Sequence, residues 1–156
     1  DEALSVADRV VLLDHGRVVA DDTPEGLWTH PPTAWAARFL GFRNIVPGRV
    51  RGGVVETAWG RLPIEQDLDA TGPAVTVVLR PASLIVAADG PIEGTVTARR
   101  FRGDHVLLAI DVPGAPPLAA EAREGTLPAV GENVSLLIAP GGLLVIDEAA
   151  TLPSEA

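Results

Sequence analysis

The sequence contains no cysteine and no methionine in 156 residues. Without cysteine there is no disulfide framework and no thiolate metal site, and the simplest compartment is cytosolic. With no methionine even at position 1, the expectation is that the chain was cut from something longer or lost its first residues. No apolar run approaches the ~20 residues that span a bilayer. The start, Asp1-Glu2, is acidic and leads into no apolar signal core. Basic residues are few, 12 against 21 acidic, for a formal net charge of −9. That balance argues against non-specific nucleic-acid binding, which rests on cations neutralising phosphates, and against broad attraction to anionic lipid. Catalytic constellations are missing as well. Ser5, Ser83, Ser135 and Ser154 lack a Gly-x-Ser-x-Gly elbow. His15, His30 and His105 lack metal-ligand spacing and read as surface residues. Asp21-Asp22, and Asp67 with Asp69, read as solvated turn residues rather than a glycosidase pair.

What is present changes texture near residue 44. Before it, Asp1–Ala7 reads as a helix end, and Val10–Leu13, Asp14-His15-Gly16 and Val18–Ala20 as a hairpin. Thr23-Pro24-Glu25 starts a short helix that Pro31-Pro32 stops. Thr33 caps another helix, with Trp35 and Phe39 on one face, ended by Gly41. After Asn44, short alternating runs predict strands: Val46–Arg51, Val54–Trp59, Val75–Arg80, Ile92–Arg99, Val106–Val112, Val134–Ala139 and Leu143–Ile146. In the fourth of these, Ile92, Val96 and Ala98 form the apolar set. Short strands punctuated by 16 Gly and 14 Pro suggest a barrel or sandwich.

Particular residues carry a family resemblance. Glu2-Ala3-Leu4, Ala7-Asp8-Arg9-Val10 and the Gly16-Arg17-Val18 hairpin resemble the end of the nucleotide-binding domain of ATP-binding cassette (ABC) importer ATPases. Asp22-Thr23-Pro24-Glu25 fills that family's Gly-Thr-Pro-x-Glu slot, with Asp for Gly and the Glu one place early. Phe39-x-Gly41-x-x-Asn44 resembles its exit. Further on, Leu79-Arg80-Pro81 (Ala82 replacing the usual Glu), Phe101-x-Gly103 and Gly131-Glu132-x-Val134 are similar to a TOBE domain of the polyamine, iron, sulfate and maltose importer type. The resemblance spans roughly residues 2–147.

The fold it implies is mainly β: residues 1–43 closing a nucleotide-binding domain, an OB-like TOBE domain over 44–150, and a frayed tail over 151–156. The intact parent would bind ATP and Mg²⁺ and drive a membrane permease pair. It would act as a homodimer on the cytoplasmic face of the plasma membrane, served indirectly by an external solute-binding protein. This stretch carries no phosphate loop, signature motif or Mg²⁺-holding carboxylate. The switch histidine would fall three residues ahead of Asp1. The expectation is therefore no bound cofactor, no metal and no hydrolysis by the stretch alone. The exit pattern leans toward polyamine, iron or sulfate as solute.

Two readings from other classes remain: a free-standing oxyanion-binding TOBE protein, and an OB-like nucleic-acid binder using Arg99-Arg100-Phe101-Arg102. Arg80, Arg100 and Arg102 are the candidate regulatory or anion-binding residues. Arg80 also suits a structural role, its guanidinium forking onto carbonyls or a carboxylate. Trp28, Trp35 and Trp59 read as packing residues. Because Trp28 and Trp35 lie in the part that would dock on a nucleotide-binding core, an exposed apolar patch is expected on residues 1–43.

Overall fold

The computed structural model describes residues 2–65, 74–123 and 127–147. Asp67 and Asp69 of the sequence reading, and the tail 151–156, lie outside them. Among the described residues no helix is long and apolar enough to cross a membrane.

The first part is built as its local signals dictate. Helix α1 (Glu2–Val6) leads to strands β1 (Val10–Asp14) and β2 (Arg17–Asp22), which pair antiparallel. Helix α2 (Pro24–Thr29) begins under the Thr23 hydroxyl, which accepts the Gly26 N–H at 3.1 Å. Helix α3 (Ala34–Phe39) is capped likewise by Thr33 on Ala36 at 3.0 Å. Gly41 follows at φ +95, where a residue with a Cβ would be strained.

The rest is β-structure in two five-stranded antiparallel sheets. The first has the order β12-β6-β3-β4-β5, from Leu143–Ile146, Val75–Leu79, Asn44–Arg51, Val54–Thr57 and Gly60–Pro63. The second has the order β10-β9-β8-β11-β7, from Leu118–Ala122, Val106–Asp111, Ile92–Phe101, Asn133–Ile138 and Leu84–Ala87. One core joins them: Val46, Val55, Leu62, Val77 and Leu79 from the first sheet meet Ile92, Val96, Leu108, Ile110 and Leu136 from the second. The mainly β class and the OB-like character expected from sequence are what is found.

The sequence reading misses β5, β7 and β10. Each is only four or five residues long. The run Gly-Arg-Leu-Pro of β5 places one buried side chain, Leu62, between a glycine and a proline. The run Leu-Ala-Ala-Glu-Ala of β10 is rich in alanine, a poor strand former. Trp59 is not in a strand but in the turn after β4, where it is buried and donates its indole N–H to the Pro116 carbonyl at 2.7 Å. Ala98 is not an inward residue: a bulge between Val96 and Ala98 shifts the register, and it lies exposed.

The outer face of the first sheet is also covered. Val78 and Ile146 pack there with Leu12, Leu27, Ala36, Ala37, Leu40 and Phe42 of the first part. Alternation along β6 therefore ends in burial on both faces, which is why it reads as a nearly continuous apolar run.

Asn44 is the buried polar residue at the start of β3, 1% exposed. Its side-chain amide donates to the Ala119 carbonyl at 2.7 Å, and its carbonyl accepts the Ala119 N–H at 2.8 Å. Ala119 sits on β10, the edge strand of the other sheet. One side chain thus satisfies both backbone groups of an edge residue and ties the two sheets. Asn44→Ala should lower unfolding free energy by about 2–4 kcal/mol, since two buried backbone groups lose their partners. Urea denaturation measures this, and a loss under about 0.5 kcal/mol would show that the bridge carries no weight.

Candidate functional site

The expected anion-binding arginines do not form one site. Arg80 follows β6 in the first sheet, while Arg100 and Arg102 lie exposed at the end of β8 in the second. Arg80 is instead half-buried against the first part of the chain. Its guanidinium donates to the Trp28 carbonyl at 2.8 Å and lies 5.6 Å from the Trp28 ring and 5.3 Å from the Phe42 ring. Trp28 and Phe42 are themselves stacked, centroids 4.5 Å apart. Burial pulls the Arg80 guanidinium below the ordinary arginine range. Pro81 opens the 3-10 turn Pro81–Ser83 directly after it, and the Arg80 N–H donates to the Gly142 carbonyl at 2.9 Å. The position therefore holds the seam between the helices and the β-sheets: a cation stacked on two aromatic faces and anchored to a carbonyl.

The other motif residues are placed as turns, caps and pairs. Glu2 and Ala3 begin α1, and Asp8 lies between α1 and β1. Arg9 forms a two-point pair with Asp21, at 2.5 and 2.7 Å, tying the open ends of β1 and β2. That makes Asp21 a strand-end partner rather than a solvated turn residue, and Asp22 accepts the Thr23 N–H at 2.7 Å. Pro24 is the first residue of α2, and Phe39 is exposed and stacked on Trp35 at 5.4 Å. Gly16, Gly103 and Gly131 all take positive φ in turns. The Gly131 N–H donates to the Val96 carbonyl at 2.7 Å.

His15 is exposed at φ 48 in the β1–β2 turn. His30 closes α2 through its backbone N–H on Gly26, at 2.8 Å. His105, half-buried, meets Asp104 at 2.7 Å. Hydrogen bonds from the His105 ring and then from backbone N–H hold the Asp104 carboxyl below the usual carboxylate range. Among the described residues no three His, Asp or Glu side chains converge on a point.

A groove of about 910 Å³ runs between the β4–β5 turn and strands β8 and β11. Thr57 shapes its rim, donating to the Gly60 carbonyl at 3.0 Å and accepting the Trp59 N–H at 3.1 Å. Thr95 donates to Asn133 Oδ1 at 2.8 Å across the β8–β11 pair. Its charged lining is Glu93 and Glu132, with no basic residue. This is the wrong sign for an oxyanion, and sequence reasoning missed the groove because its walls are contributed by turns far apart in the chain.

The expected apolar patch on the first part is present. Val11, Leu13 and Val18 of the β1–β2 hairpin are exposed, Leu13 by 60%, as are Val6 and Phe39. Leu4 and Trp35 are only half-buried.

A TOBE-domain family model matches residues 77–146, from the middle of β6 to the end of β12. The chain is 41% identical over 136 residues to an iron(III)-import ATP-binding protein of Streptomyces coelicolor, covering 86% of this chain and 38% of that protein. It is 36% identical over 151 residues to an iron(III)-import ATP-binding protein of Streptomyces avermitilis, covering 96% and 43%. The chain thus spans about two-fifths of the length of these curated relatives. A crystal structure of the cytoplasmic molybdate-binding protein ModG superposes with a TM-score of 0.50 at 14% identity, covering 67% of this chain and 96% of that one. At that identity the likeness is one of fold.

Two outcomes follow from the seam and the hairpin. Arg80→Ala should cost about 1–3 kcal/mol in urea denaturation and change Trp28 fluorescence, because the charged hydrogen bond and the ring contacts go together. Arg80→Lys should recover less than half, lacking the planar fork; full recovery would reduce the site to a point charge. For Asp21 the Arg9 hydrogen bond holds the carboxyl below its usual range. A depressed carboxylate stabilises the fold above the unfolded value near ~4 and loses that contribution as pH falls through the lower folded value. Protection factors at the β1–β2 amides, taken as the intrinsic exchange rate at each pH relative to the observed rate, should therefore fall in acid for the parent and stay level in Asp21→Asn.

Proposed function

The chain is a relative of the ATP-binding subunits of ABC importers and carries a TOBE domain, and from that premise we propose that it forms the carboxy-terminal portion of such a subunit. In this reading residues 1–43 end the nucleotide-binding domain and residues 44–150 form its regulatory domain. The observation that carries the reading is the exposed apolar face of the β1–β2 hairpin, Val11, Leu13 and Val18. A hairpin that buries Leu12 on one side and leaves three large aliphatics bare on the other has the character of a surface covered by further protein. The share of the relatives' length that the chain spans supports the same reading.

The intact subunit would bind ATP and Mg²⁺ through segments this chain does not contain. It would pair with a second copy and drive a membrane permease pair from the cytoplasmic face. The two Streptomyces relatives favour iron(III) as the solute. The stretch itself holds the regulatory domain against the catalytic one through the Arg80 seam. A free-standing oxyanion binder is the runner-up. The acidic lining of the 910 Å³ groove, Glu93 and Glu132, weighs against that groove as its site.

The test is the coding sequence upstream of Asp1, followed by ATPase assays of the intact product. A phosphate loop, a signature motif and a histidine three residues before Asp1 are expected. The intact product should hydrolyse ATP and the 156-residue chain alone should not. A start codon immediately before Asp1 would overturn the importer reading and bring the oxyanion binder forward.

A further inference from the structure

A second cleft, of about 440 Å³, lies at the far end of the β8–β9 hairpin. That volume is within the range of small-molecule sites. Its walls include Arg99 and Phe101 from β8, His105 and Val106 at the start of β9, and Arg123 and Leu127 beyond β10.

A bulge creates it. Alternation along β8 carries Ile92, Gly94 and Val96 inward. Continued without a break, it would turn Ala98 and Arg100 inward and leave Arg99 and Phe101 on the outer face. The register breaks at Thr97, which has no opposite residue on β9 and whose hydroxyl donates to the Ala109 carbonyl at 3.2 Å. Beyond it Arg99 stands opposite buried Leu108, and Phe101 opposite buried Val106. Residues directly opposite in an antiparallel pair share a face. One extra residue therefore brings a guanidinium and a phenyl ring to the core side, the re-aiming that bulges perform beside functional sites. On the next strand the partners of Leu108 and Val106 are Ala120 and Ala122, whose small side chains leave space in the same rows. Phe101 stays 74% exposed even so. A bulge serving only to pack the core would not deliver an uncovered ring and a cation there.

The charges agree. Arg99 and Arg123 both line the cleft, and Arg100 and Arg102 flank it on the same hairpin end. The carboxylate in the lining, Asp104, is hydrogen-bonded to His105, and Arg123 makes a long ion pair with Glu121 at 3.9 Å, leaving Arg99 without a carboxylate in the lining other than Asp104. In a protein of net charge −9 this is a local excess of arginine.

We infer that this cleft binds a small organic anion, its charged group held by Arg99 and Arg123 and its flat or apolar body laid on Phe101, Val106 and Leu127. A bare inorganic oxyanion would leave the apolar wall unused. An extended nucleic-acid strand needs a basic track rather than one cleft. The site goes beyond the importer reading and stands whether or not that reading does.

The experiment is an NMR titration of the 156-residue chain with phenyl phosphate, inorganic phosphate and single-stranded oligothymidylate. Phenyl phosphate should give saturable shifts at the amides of Phe101, His105, Val106 and Arg123, and bind about tenfold or more tighter than inorganic phosphate. Arg99→Gln and Arg123→Gln should each weaken it about tenfold. Phe101→Ser should bring phenyl phosphate down to the level of inorganic phosphate. All three side chains are exposed, so the melting curves of the variants should match the parent. Absence of saturable shifts at ~10 mM, or equal affinity for the two phosphates, would overturn the inference. So would oligothymidylate affinity that rises with length and falls steeply with salt, which would make the cleft part of a nucleic-acid surface.

Discussion

The structure depends on the bridge from Asn44 to Ala119. Two five-stranded sheets share one core, but a shared core alone lets them slide. The edge of β10 also leaves backbone groups open to another strand. The Asn44 amide answers both problems because it has a donor and an acceptor in one plane. Aspartate would bring a negative oxygen to the Ala119 carbonyl, and an aliphatic side chain would leave both groups of Ala119 without a buried partner. The bridge sits at the first residue of β3, where the chain leaves the helical part. This bridge between the sheets thus also lies where the first part is attached.

From that point the first part is laid on the outer face of the first sheet. Ala36 and Ala37 are fully buried there; their small side chains let α3 approach closely, and Leu12, Leu27 and Leu40 fill in around Val78 and Ile146. Arg80 then locks the edge of this layer. A cation could not be placed in such a seam without compensation, and the Trp28 carbonyl with two ring faces provides it. The layer is consequently held by contacts of two kinds, apolar at the centre and cation-to-ring at the rim. Its other side, the exposed aliphatics of β1 and β2, has no comparable covering among the described residues.

What could be read from sequence was whatever was local. Thr23 and Thr33 cap the helices they precede, Gly41 ends α3, and Pro24 occupies its first-turn position, because each signal acts within four residues. Strands with full alternation, such as Val106–Asp111 and Asn133–Ile138, were equally plain. β7 was not, since Ile85 and Val86 are both exposed and the Leu-Ile-Val-Ala run shows no alternation to detect. Arg80 was legible as a candidate anion binder or as a residue suited to forking onto carbonyls or a carboxylate. That the carbonyl belongs to Trp28, 52 positions away, is a tertiary fact. The same holds for Asn44, whose partner lies 75 positions on. The basic cluster Arg99–Arg102 was visible as composition, but which of its side chains face the core was hidden by the bulge at Thr97. Unbroken alternation turns Arg100 to the core side, whereas the register sets Arg99 and Phe101 opposite buried Leu108 and Val106.

That one-residue shift separates two concavities among the described residues in chemical terms. The larger groove has Glu93 and Glu132 and no base, while the smaller cleft has Arg99, Arg123 and an open aromatic face. Both are served by β8, the first through residues before the bulge and the second through residues after it. Before Thr97 the inward parity of β8 is spent on the core, on Ile92 and Val96. After it, the core no longer reaches far enough to bury what is turned inward, and Phe101 is left bare. A strand that outruns its own core in this way has freedom to vary its last residues without cost to folding. The end of β8 is therefore where this fold can carry binding chemistry, whereas the Asn44 and Arg80 positions are committed to holding it together.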